Sequence, residues 1–440
     1  MTTIRLRQFL ILIVDLALMY GALYLTLMLR YLAPVDTTLW AAHRVPFTII
    51  FFVWIITLYL NGFYDLRLTT NTAAYFHSFF GALAINVILS IGFFYIVSID
   101  AVSPKTNLLL FALIYSIVFI VWRWLYNRFV GTQLLRMRIA FLGNSAEVHE
   151  LAKLLHASPY LGYTVAGVYT FENIDALHAA MRTTPIDLVV VGADIGTLGS
   201  HAQMLYKTIF LNVTFVELLD FYETITGRVP VAVVNELWFI EHVRPAHKRL
   251  YEIGKRLLDG ALTIIMLTLF LIAVVPVSLL ILATNGRPIF YTQERVGHRG
   301  KLFSIIKFRT MRRDAEKEGA PQWAQANDRR ATFIGKILRR THIDELPQVL
   351  NILHGDMSFI GPRPERPHFV QELERAMPFY AIRHLIKPGL TGWAQVRYPY
   401  AASVEENLRK LQYDLFYVKN RSLFMDLLIL IRTINILTGR

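Results

Sequence analysis

Five long apolar stretches constrain this chain more than any other feature of its sequence. Four lie near the N-terminus, at about 9–29, 45–60, 79–99 and 108–124, and a fifth runs from 261 to 283. A helix needs ~20 residues to cross the ~30 Å hydrocarbon core of a bilayer, and each of the four comes near that length, the second being the shortest. With 440 residues and 55% hydrophobic content, the chain is too apolar for one soluble globule and long enough for two or three domains. It reads as an integral membrane protein. Arg5 and Arg7 precede the first stretch, while Arg123, Arg128, Arg136 and Arg138 follow the fourth, so both ends of this four-span region are expected in the cytoplasm. The first stretch has no small-residue cleavage site after it and reads as uncleaved. Asp15 lies inside it, near the cytoplasmic end, and is expected to snorkel to the interface.

The fifth stretch has 23 residues without a charge, broken by Pro276. A straight helix of that length reaches ~35 Å and could span. Its flanks favour otherwise. Arg244, Lys248, Arg249, Lys255 and Arg256 precede it, and Arg287, Arg295, Arg299 and Lys301 follow it. Basic residues on both sides favour one membrane face for both ends, and proline removes a backbone hydrogen bond where a turn-back needs a bend. A re-entrant helix over about 255–283 is the expectation, with a kinked span as its competitor.

Between 138 and 243 the pattern changes to short apolar runs alternating with amphipathic segments. Residues 139–143 read as a buried strand, 146–156 as a helix, 165–169 and 187–192 as further strands, which is a βαβ arrangement with a parallel sheet. Its first turn, Gly143-Asn144-Ser145-Ala146-Glu147-Val148, lacks the second and third glycines that allow close approach to a pyrophosphate. A structural or regulatory module is therefore expected rather than a dinucleotide site.

The formal net charge is +13, and between 285 and 343 there are 14 Lys or Arg against 5 Asp or Glu. A basic face beside apolar segments suits anionic headgroups and a diphosphate substrate better than nucleic acid. There is no cysteine, which excludes disulfides, thiolate metal sites and a thiol nucleophile. His201, His242, His247, His342 and His384 show no zinc-ligand spacing. Any metal must be held by oxygen or imidazole.

Within the C-terminal half, the run Arg339-Arg340-Thr341-His342-Ile343-Asp344-Glu345-Leu346-Pro347-Gln348 sets two adjacent carboxylates beside guanidinium groups. One carboxylate can act as a nucleophile on a phosphate diester and the other as a divalent-metal ligand. Arg363 sits between Pro362 and Pro364, which fix the local backbone and aim its planar fork. For Arg339 and Arg363 a structural ion pair and a phosphate contact both fit. Lys307 and Arg309 flank Phe308 in an alternating stretch, which puts both cations on one face of a strand. Residues 422–437 carry Leu423, Phe424, Leu427, Leu428, Ile431 and Ile434 on one helical face, fit for the headgroup boundary or for packing on the core.

These motifs resemble the bacterial sugar transferase family, the monotopic phosphoglycosyl transferases that move a hexose-1-phosphate onto a polyprenyl phosphate. The resemblance covers roughly 255–437. It includes Lys255-Arg256-Leu257-Leu258-Asp259, Pro288-Ile289-Phe290-Tyr291-Thr292-Gln293-Glu294-Arg295-Val296-Gly297, Lys307-Phe308-Arg309-Thr310-Met311, Gly355-Asp356-Met357-Ser358-Phe359-Ile360-Gly361-Pro362-Arg363-Pro364 and Lys387-Pro388-Gly389-Leu390-Thr391-Gly392-Trp393. It implies a membrane protein of α plus α/β class. A four-helix transmembrane region over 1–130 and a Rossmann-like module over 138–243 would precede a monotopic α/β catalytic domain over 247–440, with a membrane helix broken at Pro276. By the same resemblance Asp344 is the nucleophile, Glu345 the Mg²⁺ ligand, and Arg339, Arg363, Lys307, Arg309 and Asp414 surround the substrate. The implied partners are a UDP-hexose (glucose or galactose), undecaprenyl phosphate, membrane lipids and a second copy of the chain. The implied setting is the bacterial inner membrane with the catalytic domain facing the cytoplasm, at the first membrane step of exopolysaccharide, capsule or O-antigen synthesis. The competing class is a non-catalytic membrane scaffold or nucleotide-sugar sensor.

Overall fold

In a computed structural model, residues 3–64, 73–96, 104–130, 136–192, 213–243, 249–312, 330–398 and 403–437 are described. The expected domain start at 247, His201 and His247, and Arg313, Lys317 and Arg329 of the basic stretch lie outside them. The chain divides into two compact units, Met1–Phe221 and Tyr222–Arg440.

The first unit opens with four long helices, α1 (Thr3–Tyr31), α2 (Thr37–Leu60), α3 (Ala73–Ile96) and α4 (Pro104–Val130). All four are long and apolar enough to cross a membrane. Their shared core is aromatic, with Phe47, Phe51, Trp54, Phe79, Phe111, Tyr115 and Phe119 nearly or fully buried. Asp15 corrects the snorkelling expectation. It is fully buried and its Oδ2 accepts from Arg123 Nη2 at 2.6 Å, which ties α1 to α4. Arg123, counted from sequence as a flanking charge, is likewise 0% exposed and stacks on Phe119 and Tyr64. Removing one partner of such a pair strands a buried charge, at a cost of about 3–5 kcal/mol.

The same unit carries a parallel sheet of order β2-β1-β3-β4, built from β1 (Met137–Leu142), β2 (Tyr163–Tyr169), β3 (Leu188–Val191) and β4 (Thr214–Glu217). Helices α5 (Ala146–Ala157), capped by Ser145, and α6 (Ile174–Thr183) connect successive strands. Ala140, Leu142, Val189 and Val191 face Leu177 and Met181 of α6 in one core. The βαβ expectation is met. β4 escapes a hydrophobic scan because Thr214 and Glu217 leave only two apolar residues in it.

The second unit begins earlier than the expected 247. α7 (Leu218–Thr226) contains the division, and α8 (Glu236–His242) follows it. Here Trp393 Nε1 donates to Gly227 O at 3.0 Å, Lys419 pairs with Glu223 at 2.8 Å, and Val229 N donates to Gln412 O at 3.1 Å. Residues 222–242 therefore complete the core of the C-terminal unit, which alternation and turn signals could not reveal. A single helix α9 (Arg249–Asn285) then runs unbroken through Pro276 and beyond both expected ends. Its Met266, Phe270, Val277 and Ile281 are buried in the unit's core, while Ile264, Leu271, Ile272, Val275 and Leu279 are exposed.

An antiparallel hairpin of β5 (Phe290–Val296) and β6 (Leu302–Phe308) follows, then α10 (Phe333–Arg340), a 3₁₀ segment Ile343–Gln348, and α11 (Val349–His354). The strand β7 (Ser358–Ile360) pairs in parallel with β8 (Gly389–Thr391), with α12 (Pro367–Ala376) in the connection. The glycines of the two flanking motifs have a packing reason. A Cβ on Gly389 would strike the backbone of Gly361, and one on Gly361 would strike Lys387 O, so both must lack a side chain for the strands to approach. The chain closes with α13 (Trp393–Arg397), α14 (Val404–Asn420), which has a Ser403–Glu406 capping box, and α15 (Leu423–Leu437). α15 divides its apolar residues between two environments. Met425 and Ile429 enter the core, while Phe424, Leu427 and Ile434 stay exposed.

Candidate active site

α10 ends at Arg340, and His342 turns the chain with a left-handed backbone (φ 54°) that few non-glycine residues adopt, histidine being one of those that do. That turn starts the 3₁₀ segment, which places Asp344 and Glu345 in its first turn, Asp344 only 7% exposed. Lys307, one residue before the end of β6, reaches Glu345 Oε1 with its Nζ at 2.6 Å. Arg363 reaches the same oxygen with Nη2 at 2.7 Å. Two cations from distant parts of the chain thus converge on one carboxylate oxygen.

The two neighbouring carboxyls are driven in opposite directions. Burial, then the adjacent Glu345 carboxylate, push Asp344 up to about 6, against the pull of Lys307, Arg339 and Arg363. Burial would also raise Glu345, but Arg363 and Lys307, by charge and by hydrogen bond, overcome it and hold Glu345 well below the usual carboxylate range. Lys307 is itself lowered, first by burial and then by Arg363, against the pull of Glu345. A pair of titratable groups whose environments separate them is the mark of divided roles in catalysis. Here Glu345 is the fixed anion that orders the cations, and Asp344 makes no ion pair among the described residues.

Four of the expected residues therefore come together: Asp344, Glu345, Lys307 and Arg363. Arg339 lies near enough to act on Asp344 electrostatically. Arg309 does not join them. Although it shares the parity of Lys307, it follows the last residue of β6 and is 6% exposed, and its guanidinium donates to the carbonyls of Asn285 and Gly286 at the end of α9. Cationic capping of those carbonyls is favoured by the helix dipole. Asp414 does not touch the dyad either. It is 2% exposed and pairs with Arg383 at 2.8 Å.

Sequence reasoning missed Arg383 and Arg295. Arg383 Nη2 donates to Arg363 O at 2.8 Å, and Arg295 Nη1 donates to Pro364 O at 3.1 Å. A second buried network escaped it too. Lys255 lies 3.3 Å from Asp426 and 3.7 Å from Asp259, Tyr417 donates to Asp426 at 2.7 Å, and Ser358 donates to Asp259 at 2.8 Å. This network roots α9 against β7. Its sequence signals were the Lys255-Arg256-Leu257-Leu258-Asp259 motif and Ser358 within the Gly355–Pro364 motif.

Among the described residues no group of three His, Cys, Asp or Glu could hold a metal. Mg²⁺ commonly takes one or two carboxylates and completes its shell with water and substrate phosphate, so the dyad fits it without an all-protein cage. Both cations engage Oε1 of Glu345, so Oε2 would be the oxygen to meet such an ion.

Residues 250–440 match the family model described as bacterial sugar transferase. The chain is 39% identical over 242 residues to a UDP-N-acetylgalactosamine-undecaprenyl-phosphate N-acetylgalactosaminephosphotransferase of Aeromonas hydrophila, across 55% of this chain and 56% of that protein. It is 36% identical over 323 residues to a UDP-glucose:undecaprenyl-phosphate glucose-1-phosphate transferase of Xanthomonas campestris pv. campestris, across 67% and 65%. A protein of the latter description from Caulobacter vibrioides is 38% identical over 187 residues, 42% of this chain and 69% of its own length. The chain thus spans between about half and two thirds of the length of the first two relatives. With the dyad, its cationic shell and these likenesses together, the chain belongs to the bacterial sugar transferase family.

Proposed function

We propose that this protein transfers a hexose-1-phosphate, glucose or galactose, from a UDP-sugar to undecaprenyl phosphate and releases UMP, as the first membrane step of a surface polysaccharide. The observation that carries this reading is the pair of adjacent carboxyls with opposed environments inside a shell of Lys307, Arg339 and Arg363. An Asp344 carboxylate oxygen attacks the phosphorus bearing the sugar, the bond from that phosphorus to the bridging oxygen breaks, and UMP leaves with the bond's electron pair. This leaves an aspartyl-phosphosugar. An oxygen of the lipid phosphate then attacks the same phosphorus and returns Asp344 as carboxylate. With a pKa near 6, Asp344 is largely ionised at neutral pH and still a better nucleophile than a carboxylate locked in a pair. Lys307 and Arg363, fixed on Glu345, hold positive charge where the diphosphate must lie, and phosphoryl transfer depends mainly on such positioning and charge stabilisation. Bound through Glu345, Mg²⁺ would supply Lewis-acid neutralisation of the diphosphate and of the departing phosphate.

Re-entry of α9 is supported by where its ends attach. Asp259 bonds Ser358 near one end, while Asn285 Nδ2 donates to Thr332 Oγ1 at 3.0 Å at the other. Because α9 is helical throughout, re-entry rests on a bend at Pro276, where the missing N–H removes a backbone hydrogen bond, rather than on a break in the helix. Both partners belong to one compact unit, which a span would have to divide between two sides of the bilayer. The catalytic unit then faces the cytoplasm at the inner membrane, where its UDP-sugar is available. The test is UMP release from a panel of UDP-sugars, together with transfer of radiolabelled sugar phosphate into organic-extractable lipid. Release of UMP with label appearing in lipid supports the reading. A pure, folded protein that releases UMP from none of them sinks it and returns the scaffold class.

A further inference from the structure

The segment from Gly361 to Glu365 is pinned at five consecutive residues. Gly361 N donates to Thr391 O at 2.9 Å, and Pro362 O accepts from Gly389 N at 3.0 Å. Glu365 O accepts from Val296 N at 2.9 Å. Those three pins are backbone to backbone and come with the fold. The two between them are guanidinium groups, on Arg363 O from Arg383 and on Pro364 O from Arg295. Arg383 is the more committed of the two. It is 4% exposed, gives Nη1 to Tyr380 OH at 2.6 Å, and shares Nη2 between Arg363 O and Asp414 Oδ2, each at 2.8 Å. A buried guanidinium needs a carboxylate partner, and Asp414 is that partner.

We propose that Arg383, held by Asp414, is a positioning residue for the transfer reaction, aiming Arg363 at Glu345 by fixing the Arg363 carbonyl. This rests on the functional reading above. It moves Asp414 from the substrate shell to the end of a chain of contacts, Asp414 to Arg383 to the Arg363 backbone to Glu345. The side chain of Arg363 is 37% exposed, and its bond to Glu345 together with its backbone position aims it. Charged groups act on a reacting phosphate only when held within a fraction of an ångström, and a 1 Å error costs on the order of 10²-fold in rate. A lysine at 383 retains the charge beside Asp414 but lacks the fork that serves two acceptors at once.

The test is a double-mutant cycle in the full-length protein, with Arg383→Lys made in the wild-type and in the Arg363→Lys background, alongside hydrogen exchange over 361–366. Arg383→Lys should lower kcat on the order of 10²-fold in the wild type and less than about 3-fold where Arg363 is already replaced. Its amides at Arg363 and Glu365 should exchange faster. Equal losses in both backgrounds, or unchanged exchange in this segment, would overturn the proposal. If Arg383→Lys fails to fold, Asp414→Asn serves in the same cycle, with the same two results deciding. Should the wild type release no UMP at all, the functional reading fails, and the exchange measurement alone decides whether Arg383 fixes the Arg363 backbone.

Discussion

Asp344→Asn should destroy activity and stabilise the protein. The proposed nucleophile is also a group that folding disfavours in its charged form, since burial and the Glu345 charge lift its pKa from 3.8 to about 6. A carboxyl whose pKa is raised by folding favours the folded state below its unfolded pKa and loses that contribution as pH rises through the folded one. At about 1.4 kcal/mol per pH unit, ionised Asp344 costs about 3 kcal/mol above pH 6, about half of that at pH 5, and almost nothing below pH 4. An amide of nearly the same shape removes the charge and with it the cost. Thermal unfolding of the metal-free protein, followed by tryptophan fluorescence at several pH values, should show a higher Tm for Asp344→Asn at pH 8, by on the order of 5 °C. That gain should shrink steadily as pH falls from 6 to 4. A variant that is less stable than wild type at pH 8, or a gain that does not depend on pH, would refute the claim that Asp344 is held ionised against its environment.

Three other outcomes follow from the same geometry. Glu345→Gln should slow UMP release by on the order of 10²-fold and move its Mg²⁺ requirement to higher concentration, while the pH midpoint of any residual activity falls because Asp344 loses a repelling neighbour; an unchanged Mg²⁺ titration would place the metal elsewhere. The chain has no cysteine, so Leu250→Cys, at a position 86% exposed, and Thr292→Cys each supply a single thiol flanking the membrane helix. An impermeant reagent should label both from the cytoplasmic side alone, and labelling from opposite sides would replace re-entry with a span. A chain begun at Tyr222 should keep transferase activity in detergent, whereas one begun at 247 loses the Lys419–Glu223 pair and the Trp393–Gly227 bond and should melt about 4–8 °C lower, equal melting points being the contrary result.

What could be read from the sequence was local. The strands and helices of residues 137–191, the four apolar helices, and the dyad with its arginines all depend on period, length or adjacency. Partners distant in sequence could not be read the same way. Asp15 reads as an interfacial carboxylate until Arg123, 108 residues away, is placed beside it. Arg309 has the alternation that should bring it to Lys307's partner, but β6 ends at Phe308 and its guanidinium goes to the carbonyls ending α9. Asp414 looks like one more substrate-facing acid because nothing in the run around it announces Arg383. The start of the catalytic unit was displaced for a related reason: residues 222–242 carry no catalytic motif, and only their bonds to α13 and α14 assign them to that core.

The central claim is a covalent step on Asp344, and it is tested most directly without any lipid acceptor. Purified protein mixed with Mg²⁺ and its UDP-sugar should release about one equivalent of UMP per chain and then stop, as a two-step scheme requires when the second substrate is withheld. Intact-mass analysis of the quenched protein should show the addition of one sugar phosphate, lost in Asp344→Asn and located by peptide mapping to the segment holding Asp344. Release of UMP only when polyprenyl phosphate is present, with no mass added to the protein, would mean direct transfer between the two substrates and would contradict the account.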